Sequence, residues 1–249
     1  MKHFIIIALL MLIAACSEQP KRQFGVDSPQ RERAKVHTEL GAGYYAQGQM
    51  AIALDEFLEA TRIDASYSLA YNGLGLVYAV LKEDAKADAS FRRSLQLDSA
   101  NSESRNNYGS FLCSRGRIDE SIVQFNEAVK NPLYVSPGIA YMNAGFCMLR
   151  KPDEKSAEAY FEKALAAQPI LYQAAYQLAL LQFNRGQAGL ARETLRNALE
   201  TPEPTAEILW LGVRIARALG DRNTEASYAL QLRKRYPNSE QTKALISGQ

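Results

Sequence analysis

Cys113 sits in the stretch NNYGSFLCSRG and Cys147 lies 34 residues further on, in AGFCMLRKP. A thiol can serve as a nucleophile, ligate a metal or pair into a disulfide, and each use demands different company. A nucleophile needs a partnered base, and a metal site needs several ligands at fixed spacing. Once a leader that includes His3 is removed, His37 is the histidine left, and a lone histidine in a helix reads as a surface residue. The acidic pairs Asp55–Glu56 and Asp119–Glu120 fall where solvated helix faces are the default. Catalytic residues, a metal site and a cofactor are therefore not expected. What the two cysteines do depends on the elements that position them and on the compartment they fold in.

The compartment is indicated by the third cysteine. Lys2 and His3 precede the apolar run FIIIALLMLI, Phe4 to Ile13, and Ala14 and Ala15 lead into Cys16. The run is too short to span a bilayer and fits the apolar region of a secretory signal. Its end resembles a bacterial lipoprotein signal, in which the cysteine is acylated and becomes the first mature residue. Residues 1–15 are thus expected to be removed and Cys16 lipidated. By analogy with other lipoproteins, Ser17 implies sorting to the outer membrane. Residues 16–30 include SEQPKRQFGVDSPQ, which lacks a helical period, and are expected to form a lipidated N-terminus and flexible tether reaching about 20 Å.

Beyond the tether the chain repeats itself. LGAGYYAQG, LGLVYAVLK, YGSFLCSRG, AGFCMLRKP and LALLQFNRG begin at 40, 74, 108, 144 and 178. The small residues Gly41, Gly75, Gly109, Gly145 and Ala179 are separated by 34, 34, 36 and 34 residues. That is the period of the tetratricopeptide repeat, a helix–turn–helix unit. Second helices carry a matching pattern, as in Ala53–Phe57–Ala60 and Ala157–Phe161–Ala164. The expected fold is all-α, an α-solenoid of about six repeats forming a right-handed superhelix. Repeats are placed near 34–67, 68–101, 102–137, 138–171, 172–205 and 206–239, within a domain 31–239, followed by a C-terminal tail 240–249. The last repeat is degenerate, as terminal units of stacked arrays often are. The glycine inside each first helix costs roughly 1 kcal/mol in helix propensity. It is expected to be repaid by close packing under the aromatic of the second helix.

The period also assigns positions. In such arrays the first helix of each unit lines the concave surface. The groove-facing places are filled by Tyr45, Leu69, Asn72, Leu76, Ala79, Asn106, Ser110, Met142, Phe146, Leu149, Tyr176, Leu180, Phe183 and Trp210. Most are apolar or aromatic, which suits an extended or helical partner segment held by burial and aromatic anchors. Some of them could equally pack between neighbouring first helices. The formal charge of +2 gives no basic stripe for nucleic acid, and a small-molecule substrate is not expected either. Cys113 and Cys147 fall late in the first helices of adjacent units. In an oxidising periplasm they are candidates for a disulfide, the alternative being two buried thiols acting as small apolar side chains.

The most specific stretch is LWLGVRIARALGDRNTEASYALQLRKRYPNS, Leu209 to Ser239. Together with the lipoprotein signal and NNYGSFL it resembles the PilW/PilF family of type IV pilus biogenesis lipoproteins. The resemblance implies a role without a reaction: a pilotin on the inner face of the outer membrane that helps a PilQ-like pilus secretin localise and assemble. It also implies contact with other pilus assembly proteins. The competing reading is a repeat scaffold lipoprotein of outer-membrane protein assembly or of peptidoglycan-enzyme regulation.

Overall fold

The computed structural model describes residues 28–248. Cys16, the apolar leader and most of the tether lie outside these residues. Among the described residues the helices come in pairs: α1 (Pro29–Ala46) with α2 (Met50–Ile63), α3 (Ser68–Val80) with α4 (Asp84–Leu97), and α5 (Ser102–Ser114) with α6 (Ile118–Ala128). Then follow α7 (Pro137–Met148) with α8 (Glu154–Ala167), α9 (Tyr172–Asn184) with α10 (Ala188–Leu199), and α11 (Ala206–Ala218) with α12 (Arg222–Arg235). Each second helix also packs on the next first helix, giving the α-solenoid of tetratricopeptide repeats.

The array begins earlier than the tether reading implies. Ser28 caps α1, its hydroxyl accepting from the Arg31 amide at 3.1 Å, and Pro29 occupies the first turn. Proline is favoured there because its missing N–H would have no helical partner anyway. The tail also needs correction. Residues Glu240–Ser247 form α13, capped by Ser239, whose side chain accepts from the Thr242 amide at 3.1 Å. Thr242 is buried and donates to the Tyr236 carbonyl at 2.7 Å. Leu245 joins Leu209, Val213 and Leu232 in the last core cluster. The apolar end of the stack is thereby covered.

The packing of glycine against aromatic is as the pattern implies. A Cβ on Gly41, Gly75, Gly109 or Gly145 would lie 2.9, 2.7, 2.8 and 2.7 Å from Phe57, Phe91, Phe125 and Phe161 respectively. The four rings are buried, so the helices cross where the first helix has no side chain. Ala179 tolerates its methyl because Leu195 replaces the ring in that repeat. Most turns between the paired helices place a glycine in the left-handed region, as at Gly116 (φ +77°), which closes the Cys113 stretch. Lys82 takes the equivalent turn in the second repeat at φ +61°.

Repeats two and three are also joined by charge. Asp88 on α4 accepts from the Tyr108 hydroxyl at 2.8 Å and from Arg117 Nη1 at 2.6 Å, and pairs with Arg92 at 2.6 Å. Burial pushes the Asp88 carboxyl up, but the bonds from Arg117 and Tyr108 and the nearby guanidinium charges outweigh it, so its pKa lies below the ordinary value of 3.8. A lowered native pKa stabilises the fold above the unfolded value. That contribution is lost as pH falls from 3.8 through the native pKa. Asp88→Asn is expected to be less stable than the parent at neutral pH and to lose less on acidification. Urea unfolding curves at neutral and successively acid pH measure the difference, and parallel acid limbs would refute it.

Candidate functional site: the concave groove

The first helices line one face of the array, and the structure divides the predicted groove residues into three kinds. Asn72, Asn106 and Met142 are buried. Leu69 and Ser110 are exposed, and Tyr45, Leu76, Ala79, Phe146, Leu149, Tyr176, Leu180, Phe183 and Trp210 are partly covered. The partly covered side chains lean on the core and keep part of their surface open. Tyr45 packs beside Phe57, and Leu76 and Ala79 beside Phe91 and Tyr108. Phe146 meets Phe161 edge-on, with ring centroids 5.4 Å apart.

The buried trio packs among neighbouring helices. Asn107 Nδ2 donates to Asn72 Oδ1 at 3.3 Å, and Asn143 Nδ2 donates to Asn106 Oδ1 at 3.0 Å. Each bond joins successive first helices, α3 to α5 and α5 to α7. Asn72 and Asn106 thus serve inter-repeat packing in the free protein, where a polar side chain shut away from water needs its bond inside, and Met142 packs in the apolar core. Asn107 and Asn143, the donors, were not singled out by repeat position. Their signal was the doubled asparagine in NNYGS and the asparagine of YMNAG.

Cys113, one residue from the end of α5, and Cys147 in α7 stand sulfur to sulfur, with Cα atoms 5.8 Å apart. That separation lies within the roughly 4.4–6.8 Å a disulfide requires. His37 is less free than expected, since its Nδ1 lies 2.6 Å from Glu56 Oε2 across the α1–α2 pair. Asp55, Asp119 and Glu120 are exposed. Among the described residues no group of three or more His, Cys, Asp or Glu could hold a metal ion.

The backbones of α1, α3, α5 and α7 approach one another in succession, as do those of α9 and α11. A depression of about 450 Å³ lies across α7, α9 and α11, lined by Phe146, Tyr172, Gln173, Tyr176, Gln177 and Ile208, with Thr201, Glu203, Thr205 and Glu207 along one rim. Burial, with the Glu207 carboxylate adding to it and Arg214 opposing it, raises the Tyr176 phenol above its usual range. Arg214 itself rests on the Phe183 ring at 4.8 Å. Thr201, Glu203 and Thr205 come from TPEPT, the loop before α11, which a pattern confined to first helices does not reach, and Glu207 stands in the first turn of α11.

Comparison with known proteins decides what kind of array this is. The tetratricopeptide repeat family model matches residues 69–101. The type IV pilus assembly protein PilF of Pseudomonas aeruginosa is 32% identical over 213 residues, which cover 86% of this chain and 84% of PilF. The chain belongs to the PilF/PilW family. Solved structures of the family agree in three dimensions. That of Pseudomonas aeruginosa PilF superposes with a TM-score of 0.78 at 30% identity, covering 89% of this chain and all of PilF. That of PilW, a widely conserved type IV pilus biogenesis factor, gives 0.69 at 33% identity, covering 86% of this chain and 98% of PilW. The protein is thus a tetratricopeptide-repeat member of the PilF/PilW family of type IV pilus biogenesis, with protein partners in pilus assembly. The similarity extends over most of the chain, well beyond the single repeat at residues 69–101 that the family model matches.

Proposed function

We propose that the protein is a pilotin: a non-enzymatic, lipid-anchored adaptor at the periplasmic face of the outer membrane. It holds a segment of the type IV pilus secretin in its groove and promotes the secretin's delivery and ring assembly. The observation that carries this reading is the whole-array relationship to a type IV pilus assembly protein. The groove adds a physical means, since half-covered aromatic side chains on successive first helices can bury a partner segment without rearrangement. The N-terminal sequence adds the location, with acylation at Cys16 as the anchor. In the oxidising periplasm Cys113 and Cys147 form a disulfide that locks the third repeat to the fourth.

A deletion strain tests the function. Detergent-resistant secretin oligomers are expected to fall several-fold in outer-membrane fractions while secretin monomer persists. The intact protein should restore them, and a Cys16→Ser variant should restore few. Normal oligomers in the outer membrane of the deletion strain would exclude the pilotin role. A scaffold role in outer-membrane protein assembly would then take its place, marked by altered β-barrel protein levels in the same fractions.

A further inference from the structure

The depression across α7, α9 and α11 has a chemistry of its own. Phe146, Tyr172, Tyr176 and Ile208 make it apolar and aromatic, while Glu203 and Glu207 place two carboxylates on its rim. No cation lines it. Glu207 accepts only a long bond from Gln241 Nε2, at 3.4 Å, and neither glutamate forms an ion pair among the described residues. Arg235 donates to the Pro202 carbonyl at 2.5 Å on the rim loop, and Arg214 is held over the Phe183 ring.

We infer that this pocket docks a segment of a partner protein that carries a lysine or arginine beside an apolar side chain. The inference rests on the adaptor reading above and names the kind of sequence the groove accepts in its C-terminal half. The apolar neighbour enters between Phe146 and Ile208, where water is displaced from aromatic surface. The cation lies over a tyrosine face, where the ring quadrupole attracts it, and reaches the rim carboxylates. An acidic segment would set like charges against Glu203 and Glu207, and an anionic membrane surface is disfavoured for the same reason.

The chain's own KRQF, Lys21 to Phe24, carries similar chemistry. It is too far away in cis. Four first-helix steps of about 9 Å separate α1 from α9, whereas the chain from Phe24 to Ser28 spans at most about 14 Å. The occupant is therefore another polypeptide.

The test uses the full chain in mild detergent and fluorescence anisotropy with labelled peptides of about twelve residues. The peptides are matched in length and apolar content and carry two lysines, two glutamates or neither. The dibasic peptide is expected to bind saturably and at least about tenfold more tightly than the diacidic one. A Glu203→Gln/Glu207→Gln variant, altered only at exposed side chains, should lose about tenfold for the dibasic peptide and little for the neutral one. Tyr176→Ala should weaken both. Equal affinity across the panel, no binding by any peptide, or an unchanged carboxamide variant would overturn the inference. So would a concentration-dependent dimer of the chain that the carboxamide variant abolishes, since a second copy would then be the occupant. Purified secretin retained by the chain while the whole panel fails would overturn the pocket assignment and leave the adaptor reading standing. Normal secretin oligomers in the deletion strain together with charge-selective peptide binding would do the reverse.

Discussion

A Cys113→Ser/Cys147→Ser variant is expected to unfold with about 3–4 kcal/mol less stability than the oxidised protein, the chain-entropy value for a closed loop of about 34 residues. The cysteines sit on neighbouring first helices with Cα atoms 5.8 Å apart, so the bond requires no movement of the backbone. Its effect should be local. In a stacked array each repeat contacts only its neighbours, and a cross-link between the third and fourth units stabilises chiefly that interface. Hydrogen exchange should therefore lose protection first in α5 to α8, while α11 to α13 change little. Denaturant curves of the oxidised parent, the reduced parent and the double variant, with thiol counts under denaturing conditions, measure both. Two free thiols in protein taken from the periplasm, or a double variant as stable as the oxidised parent, would show that the pair acts only as buried apolar side chains. Cys147 is already fully buried, with the Ser121 hydroxyl 3.4 Å from its sulfur.

Gly73→Ala is expected to cost up to about 3 kcal/mol, the upper part of the range for overpacking a filled core. Its added Cβ would fall 2.2 Å from Phe57 Cε1, closer than at any of the four periodic glycines. The ring cannot retreat, because a Cβ on Gly41 would meet it at 2.9 Å. Phe57 is thus clamped between two helices that both lack a side chain at the crossing. Alanine would otherwise gain about 1 kcal/mol of helix propensity, so a measured loss would be the net of strain over that gain. Pairing Gly73→Ala with Phe57→Leu provides the decisive comparison. The double variant should be more stable than the sum of the single effects predicts, since the smaller side chain vacates the contested space. Strict additivity would place the strain elsewhere.

These two sites also show what the sequence made legible. Repeat phase located the paired helices and the glycine-on-aromatic contacts, because every unit solves the same packing problem and the solution recurs at a fixed interval. Gly73 escaped because it belongs to no period. It answers a local demand, the contact between α3 and the Phe57 ring of the preceding repeat, and its sign was only the first glycine of YNGLG, two places before the periodic one. The groove was read less well for a related reason. Position within a repeat gives the direction of a side chain but not its distance to the next helix, so Asn72, Asn106 and Met142 point inward yet are closed over by their neighbours. The depression across α7, α9 and α11 depends on backbone spacing that residue types do not encode. The helix at Glu240–Ser247 was missed because it is short and falls outside the 34-residue frame. A Ser239 cap and the pair Thr242 and Leu245, three residues apart, were its only marks.

That last helix has a bearing on assembly. Val36 and Leu40 remain 52% and 45% exposed on α1, so the leading end of the stack keeps an apolar stripe. A solenoid that left its trailing end equally open would present two surfaces able to join head to tail, a heterologous contact that does not close and so grows into a fibre. With α13 laid across α11 and α12, the trailing end has its core covered and exposes single apolar side chains such as Leu230 and Ile246. Isolated side chains give a second copy less to stack on than an open core face would, which disfavours growth along the repeat axis.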